Sequence, residues 1–270
     1  MKLSTSLGLS LACVGMLAVP AGAAQGVLVV QTTTTNGTSK TTQVQIEPQR
    51  MRTEMADGGG AGQVIIFDGP KQVMYMINPA RKTYSEMTKA DVDRAGAQMS
   101  EAMAKMQEAM KNIPPAQRAQ MEAMMRGRGL PGAAATPAKT EYRKAGTQKV
   151  GKWTCDRYEG YQNNAKTGEV CTVSPQALGF TAADFEVSRQ LATFLRGLIP
   201  QGADALFQAG KVEEQGYSGV PVRQVMNVAG REIVTELTDV TRQTFPDSLF
   251  EVPAGLQKQA SPFGLGGRGQ

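Results

Sequence analysis

The sequence predicts an α+β fold: one large, twisted antiparallel sheet with helices packed over one face. Three observations carry this reading. Short runs of apolar and β-branched residues recur between Asn-, Gly- and Pro-containing turns; the period changes to helical from Lys89 to Met125; and strands resume after it.

The first third reads as an antiparallel meander. Val27 to Thr35 leads into Asn36-Gly37, a type I′ hairpin signal, and Lys40 to Ile46 returns. Met51 to Met55 is closed by the glycine-rich turn Asp57 to Gly62. Val64 to Phe67 then turns at Gly69-Pro70 into Gln72 to Ile77, and Asn78-Pro79 turns the chain again into Lys82 to Met87. Val64 to Phe67 and Val73 to Ile77 are apolar on both faces. An antiparallel sheet tolerates that only where something covers the second face.

The helical segment, 89–126, is the expected cover. Met99, Met103, Met106 and Met110 fall at i, i+4, i+7 and i+11, within an arc of about 60° on a helix. A second helix starts near Pro115 and carries Met121, Met124 and Met125, so the pair reads as a methionine-rich helical hairpin. Residues 127–139 read as a flexible linker back to the sheet. Later, Thr181-Ala182-Ala183-Asp184 opens a helix in the manner of a capping box. Phe185, Leu191, Phe194, Leu195 and Leu198 give that helix an apolar face, and Pro200 ends it; a short helical stretch runs on through Phe207. Val220 to Val228, Glu232 to Thr241 and Leu249 to Val252 read as the final strands. Residues 258–270 read as a disordered tail, leaving 24–257 as a single domain.

The N-terminus carries an export signal. Lys2 supplies a positive start, Leu7 to Val19 an apolar run too short to span a bilayer, and Ala21-Gly22-Ala23 a small-x-small cleavage site. Ser10 stands where a lipobox before Cys13 needs a large aliphatic residue, so lipidation is not expected. The mature protein is therefore expected in the periplasm or secreted, where thiols pair. Only Cys155 and Cys171 remain there, one in each of the expected strands Trp153 to Tyr161 and Glu169 to Val173. Asn163-Asn164 and Lys166-Thr167-Gly168 supply the turn chemistry between them. With the turn centred on Asn163, the two cysteines face each other across a hairpin and form a disulfide.

Composition narrows the chemistry. The chain has no histidine, which removes Ser-His-Asp and Cys-His catalysis, His-ligated zinc and histidine proton shuttling. There is no phosphate-binding loop, because the Gly58 to Gly62 cluster does not open a helix. The carboxylate pairs Asp91/Asp93 and Glu213/Glu214 stand in segments that read as solvated. The net charge of +5 is spread along the chain and points to a mildly basic surface, with no nucleic-acid partner. The expectation is a non-enzymatic protein without a cofactor.

The methionines admit two chemistries. Flexible thioether side chains fill irregular apolar space and suit varied apolar ligands. They are also soft ligands that select Cu(I), here through Met99, Met103, Met106 and Met110, with no other metal site expected.

Taken in order, several motifs resemble an exported bacterial family catalogued as domain of unknown function 4412. They are Met51-Arg52-Thr53-Glu54, Val64-Ile65-Ile66-Phe67-Asp68, Met74-Tyr75-Met76-Ile77-Asn78-Pro79 and Lys82-Thr83-Tyr84, then the Met-rich helices, Gly151-Lys152-Trp153-Thr154-Cys155 and Phe250-Glu251-Val252-Pro253-Ala254-Gly255. The resemblance implies a fold like the outer-membrane lipoprotein carrier: an open half-barrel with helices over its concave face and an apolar groove for acyl chains. On that basis Met74, Met76, Met99, Met103, Met106 and Met110 are the expected groove and plug. The expected partner is a lipid or another apolar ligand, with peripheral envelope contact. A Cu(I)-handling protein and a structural envelope protein with no small ligand are the alternatives.

Overall fold

A computed structural model of the chain describes residues 24–56, 62–111, 140–198, 216–228 and 230–261, the side chains of 24, 107, 110 and 111 excepted. The signal segment, the second methionine helix, the linker, the stretch through Phe207, Glu213/Glu214 and most of the Gly58–Gly62 cluster lie outside these residues.

Asn36 and Gly37 both adopt positive φ (51° and 77°), as a type I′ turn requires. They fold strand β1 (Ala24–Thr35) onto β2 (Thr38–Ile46). The meander continues through β3 (Arg50–Met55), β4 (Val64–Asp68), β5 (Val73–Asn78) and β6 (Thr83–Thr88), each antiparallel to the one before. Helix α1 (Lys89–Lys111) follows. Its start is a capping box: Asp91 accepts from the Thr88 amide at 3.0 Å and hydroxyl at 2.7 Å, and the Asp91 amide donates to Thr88 Oγ1 at 3.3 Å.

A second meander, β7 (Glu141–Val150), β8 (Trp153–Gln162), β9 (Ala165–Val173), β10 (Val220–Val228) and β11 (Arg231–Phe245), joins the first through β1 and β11. Between β9 and β10 lie two 3-10 turns, Pro175–Leu178 and Ala182–Phe185, and helix α2 (Glu186–Leu195). The last strand, β12 (Gln257–Gln259), runs parallel to β6. The twelve strands lie in the order β12-β6-β5-β4-β3-β2-β1-β11-β10-β9-β8-β7. The sheet is open, with β7 and β12 at its edges, and the α+β class expected from sequence holds.

Cross-strand register sorts the core into faces. Val27, Ile46, Met51, Phe67, Met74 and Met87 form one row across β1 to β6. This inner face is covered by Val92 of α1 and by Val187, Leu191, Phe194 and Leu198 of α2 and the turn after it. Further along it, Trp153, Cys155, Cys171, Val173 and Val222 are covered by Leu178, Phe180 and Phe185. The adjacent row, Leu28, Gln45, Arg52, Ile66, Tyr75 and Glu86, lies on the outer face. There Val64, Ile66, Ile77 and Phe245 are covered by Leu249, Phe250, Val252 and Leu256. Both faces of β4 and β5 are therefore covered, the inner under helices and the outer under the C-terminal segment.

The structure departs from the sequence reading in four places. Leu249 to Val252 is not a strand: Asp247–Phe250 is a 3-10 turn, and the segment lies across the sheet because its apolar side chains are needed as a lid on the outer face. Gln257–Gln259 pairs with β6, so ordered structure passes the expected boundary at 257. Strand β7 is additional. Lys166, Thr167 and Gly168 belong to β9, and the turn is Asn163-Asn164 alone, both at positive φ.

Candidate functional site

The packed apolar layer between the inner face and the two helices, here termed the chamber, is built strand by strand. Strands β3, β4, β5 and β6 each contribute one side chain to the row Met51, Phe67, Met74 and Met87, because alternate residues of a strand share a face. Ile65 and Met76 pack against the same cluster. From above, Phe194 meets Phe67 with ring centroids 5.3 Å apart and planes tilted by 55°.

Helix α2 is held over the chamber by a buried polar anchor. Asp184, 3% exposed, accepts from the Thr181 amide at 2.6 Å and hydroxyl at 2.8 Å and pairs with Arg242 of β11 at 2.7 Å. Burial pushes the Asp184 carboxyl up, but the hydrogen bonds from Arg242 and Thr181 outweigh it and hold the group below the usual range.

Helix α1 is seated differently. Val92 and Ala95 pack into the chamber, and Gly96 approaches the backbone at Gly197. Of the residues expected as groove and plug, Met74 is buried in the chamber and Met76 is partly buried there. Met103 is partly buried, whereas Met99 and Met106 are each 45% exposed; the Met110 side chain lies outside the described residues. The chamber thus brings Met74 and Met76 together with Met51 and Met87, whereas Met99 and Met106 of α1 are exposed outside it. Met51 and Met87 were legible only through cross-strand register, which places them beside Phe67 and Met74.

Cys155 and Cys171 are bonded, with Cα atoms 5.4 Å apart. They are diagonal rather than opposite, since Cys171 faces Arg157 and Asp156 faces Thr172. The two-residue turn and the register shift at Gly160/Tyr161 displace the pairing by two positions. An even displacement keeps both sulfurs on one face.

Several other polar groups are engaged. Glu159 binds Arg157 at 3.1 Å, Lys166 at 3.0 Å and the Tyr161 hydroxyl at 2.7 Å, and Glu169 binds Arg157 at 2.7 Å. Hydrogen bonds from Tyr161 and Lys166 hold Glu159 below its ordinary range. Asp91 caps α1 and Asp93 pairs with Lys89. A cleft of about 660 Å³ opens beside Trp153, between Lys152, Asp156, Thr172, Ser174 and Ser218. Lys152 pairs there with Asp239 at 2.7 Å, its ammonium 5.1 Å from the Trp153 ring centroid. Among the described residues, no group of three or more His, Cys, Asp or Glu could hold a metal ion, and no helix is long and apolar enough to cross a membrane.

Likeness to solved structures is remote. An uncharacterized conserved protein from Thermus thermophilus is 8% identical, with 88% of this chain and 91% of that one covered and a TM-score of 0.42. A chain of the Pseudomonas aeruginosa MucA/MucB complex is 10% identical over 86% of this chain, at a TM-score of 0.36; the match spans 57% of that chain's length. A DUF1329 family protein from Desulfovibrio piger is 7% identical, with 86% of this chain and 91% of that one covered and a TM-score of 0.19. No curated protein matches the chain. The family is clear nonetheless: the model described as "Domain of unknown function (DUF4412)" matches residues 25–104 and 89–256, and the chain belongs to that family.

Proposed function

We propose that the chain is an exported, non-enzymatic binder of lipid or another apolar ligand, with the inner face of β3 to β6 as its site and α1 as a movable cover. One observation carries the reading. The inner face is lined by Met51, Met74, Met76 and Met87 around Phe67, flexible side chains that adapt to varied apolar shapes. The cover above them is unequal, since α2 buries Val187, Leu191 and Phe194 while α1 contributes Val92 and Ala95. Lifting α1 opens the chamber without removing α2. The lack of histidine in the sequence and the engagement of the carboxylates just described support a binding role over catalysis. The leader sequence supports a periplasmic or secreted location.

Native mass spectrometry of protein purified from its own envelope tests the reading. A bound species of lipid mass is expected, lost when Met74 and Met76 are both replaced by Lys in a chain that still folds. Repeated ligand-free spectra from the unaltered protein would sink it.

A second reading, Cu(I) handling, is favoured by the exposure of Met99 and Met106 on α1. With Met103 they lie at i, i+4 and i+7, close enough for thioethers to share a soft ion. Cu(I) titration against a competing chelator should show one site. Replacing Met99, Met103, Met106 and Met110 by Leu, which keeps volume, should abolish it; affinity surviving that change rules the site out.

A further inference from the structure

The cleft beside Trp153 lies where two strands part. Strands β8 and β9 pair from the Asn163-Asn164 turn as far as Asp156 and Thr172, and there their ladder stops. Both chains run on. Strand β8 extends back to Trp153, and β9 reaches Val173, which pairs with Val220 of β10. Ser174 then leaves the sheet, with its carbonyl and its hydroxyl both accepting from the Ala177 amide, at 3.0 and 3.2 Å. Thr172 Oγ1 donates to the Ser218 carbonyl at 2.6 Å, which ties this end of β9 to the segment before β10. The Cys155–Cys171 bond crosses the last pair, so the strands are stapled where they begin to diverge.

Register tells which backbone groups face the opening. Gly151-Lys152 is a two-residue turn, and Val150 and Trp153 are the closing pair of the β7–β8 hairpin. Such a closing pair exchanges both of its backbone hydrogen bonds, and the bonding direction alternates along an antiparallel strand. Trp153 and Cys155 therefore turn their amides and carbonyls to β7, whereas Thr154 and Asp156 turn theirs toward β9. Asp156 meets Thr172 there. Thr154 would meet Ser174, which has turned away, so its amide and carbonyl face the cleft with no ladder partner among the described residues. Thr154 is exposed, and hydroxyl side chains line the walls, among them Thr147, Thr172, Ser174 and Ser218. The charges at the cleft are already paired, Lys152 with Asp239 at 2.7 Å and Asp156 with Lys144 at 3.0 Å.

We propose that this cleft binds a short, extended peptide segment with small, uncharged side chains, which takes the strand position beside Thr154 that Ser174 leaves open. A donor and an acceptor on one residue, set at strand geometry, are what a peptide backbone complements when it adds to a sheet. The narrow angle between the strands selects small side chains, and the internal pairing of Lys152 and Asp156 leaves no charge for a ligand to neutralise. The volume of about 660 Å³ falls in the range of small-ligand sites, roughly 300–1,000 Å³. Met51, Phe67, Met74 and Met87 of the chamber do not line it, so this site and the apolar-ligand reading stand or fall separately.

Backbone recognition tolerates varied sequence, so a small panel of probes suffices. Isotope-labelled protein is titrated with acetyl- and amide-capped tetrapeptides of Ala, Ser, Thr and Gly, and with maltotriose as a polyhydroxyl comparator. The peptides should shift the amide resonances of Thr154, Ser174 and Ser218, with half-saturation near about 1 mM, slow exchange of the Thr154 amide, and leave Phe67 and Met87 unmoved. Thr154→Pro removes the amide that faces the cleft but none that bonds to β7, and should weaken peptide binding about tenfold. Ser218→Trp, at an exposed position on the rim, should abolish binding by filling the cleft, and tests the site even where the proline variant fails to fold. The proposal is overturned if no peptide shifts Thr154 at about 10 mM, or if binding survives Ser218→Trp. Shifts at the same residues from maltotriose alone also overturn it, and assign the hydroxyl-lined walls to a sugar.

Discussion

Gly96 of α1 and Gly197, just past α2, bring the two backbones into contact: a β-carbon on Gly96 would lie 2.1 Å from the Gly197 carbonyl oxygen. No side chain can yield there, since the opposing atom is backbone. The movable-cover reading depends on this approach, because α1 otherwise reaches the chamber through Val92 and Ala95.

Replacing Gly96 by Val should therefore push α1 off α2. Overpacking of this kind costs about 1–3 kcal/mol, and the loss should be local. Hydrogen exchange should accelerate across residues 89–104 and stay unchanged in α2. Full protection of α1 in the variant would mean that the glycine contact does not seat it.

Asp184 and Arg242 fix the other helix. Replacing Asp184 by Ala removes the acceptor of the Thr181 amide and the ion-pair partner of Arg242, which keeps only its bond to the Gly179 carbonyl at 2.9 Å, at a cost of about 2–3 kcal/mol at neutral pH. The pH dependence has a definite sign. The folded-state pKa of Asp184 is depressed, so its contribution is present above the unfolded value near 3.8 and lost as pH falls through the folded value. The stability gap between wild type and variant, read from urea unfolding, should stay constant from about pH 7 to about 5 and shrink below about pH 4. A gap that widens in acid would show that the carboxyl is not held ionised.

How much of this was legible in the sequence follows from where each signal resides. The strands β1 to β6 were readable because Asn36-Gly37, Gly69-Pro70 and Asn78-Pro79 punctuate them with local turn chemistry. The capping box at Thr181 was readable for the same reason, being complete within four residues. Strand β7 was not: Glu141–Val150 is mostly polar on both sides and carries Gly146 at φ 114°, as suits an edge strand that must not recruit others. The run Leu249 to Val252 has strand composition, but its conformation is set by the outer face it covers. The methionine stripe showed that α1 is amphipathic. How deeply the fold buries each member of the stripe is a tertiary fact: Met103 is partly buried, whereas Met99 and Met106 are exposed.

The disulfide offers the sharpest separation of local from global effects. Cys155 and Cys171 are 16 positions apart, and closing a loop of that size stabilises by about 3 kcal/mol in the chain-entropy model. For a domain of this length that corresponds to a melting temperature lower by about 6–12 °C on removal. The double variant Cys155→Ala/Cys171→Ala also loses two buried sulfurs from the core beneath Phe180 and Phe185, so its deficit contains a packing part. Wild type unfolded and refolded in reductant keeps the sulfur volume and loses only the bond. Its melting temperature should fall between those of the oxidised protein and the variant, and reductant should leave the variant unchanged. If reduced and oxidised wild type melt together, the bond contributes nothing and the hairpin is held by packing and by side-chain pairs such as Arg157–Glu169.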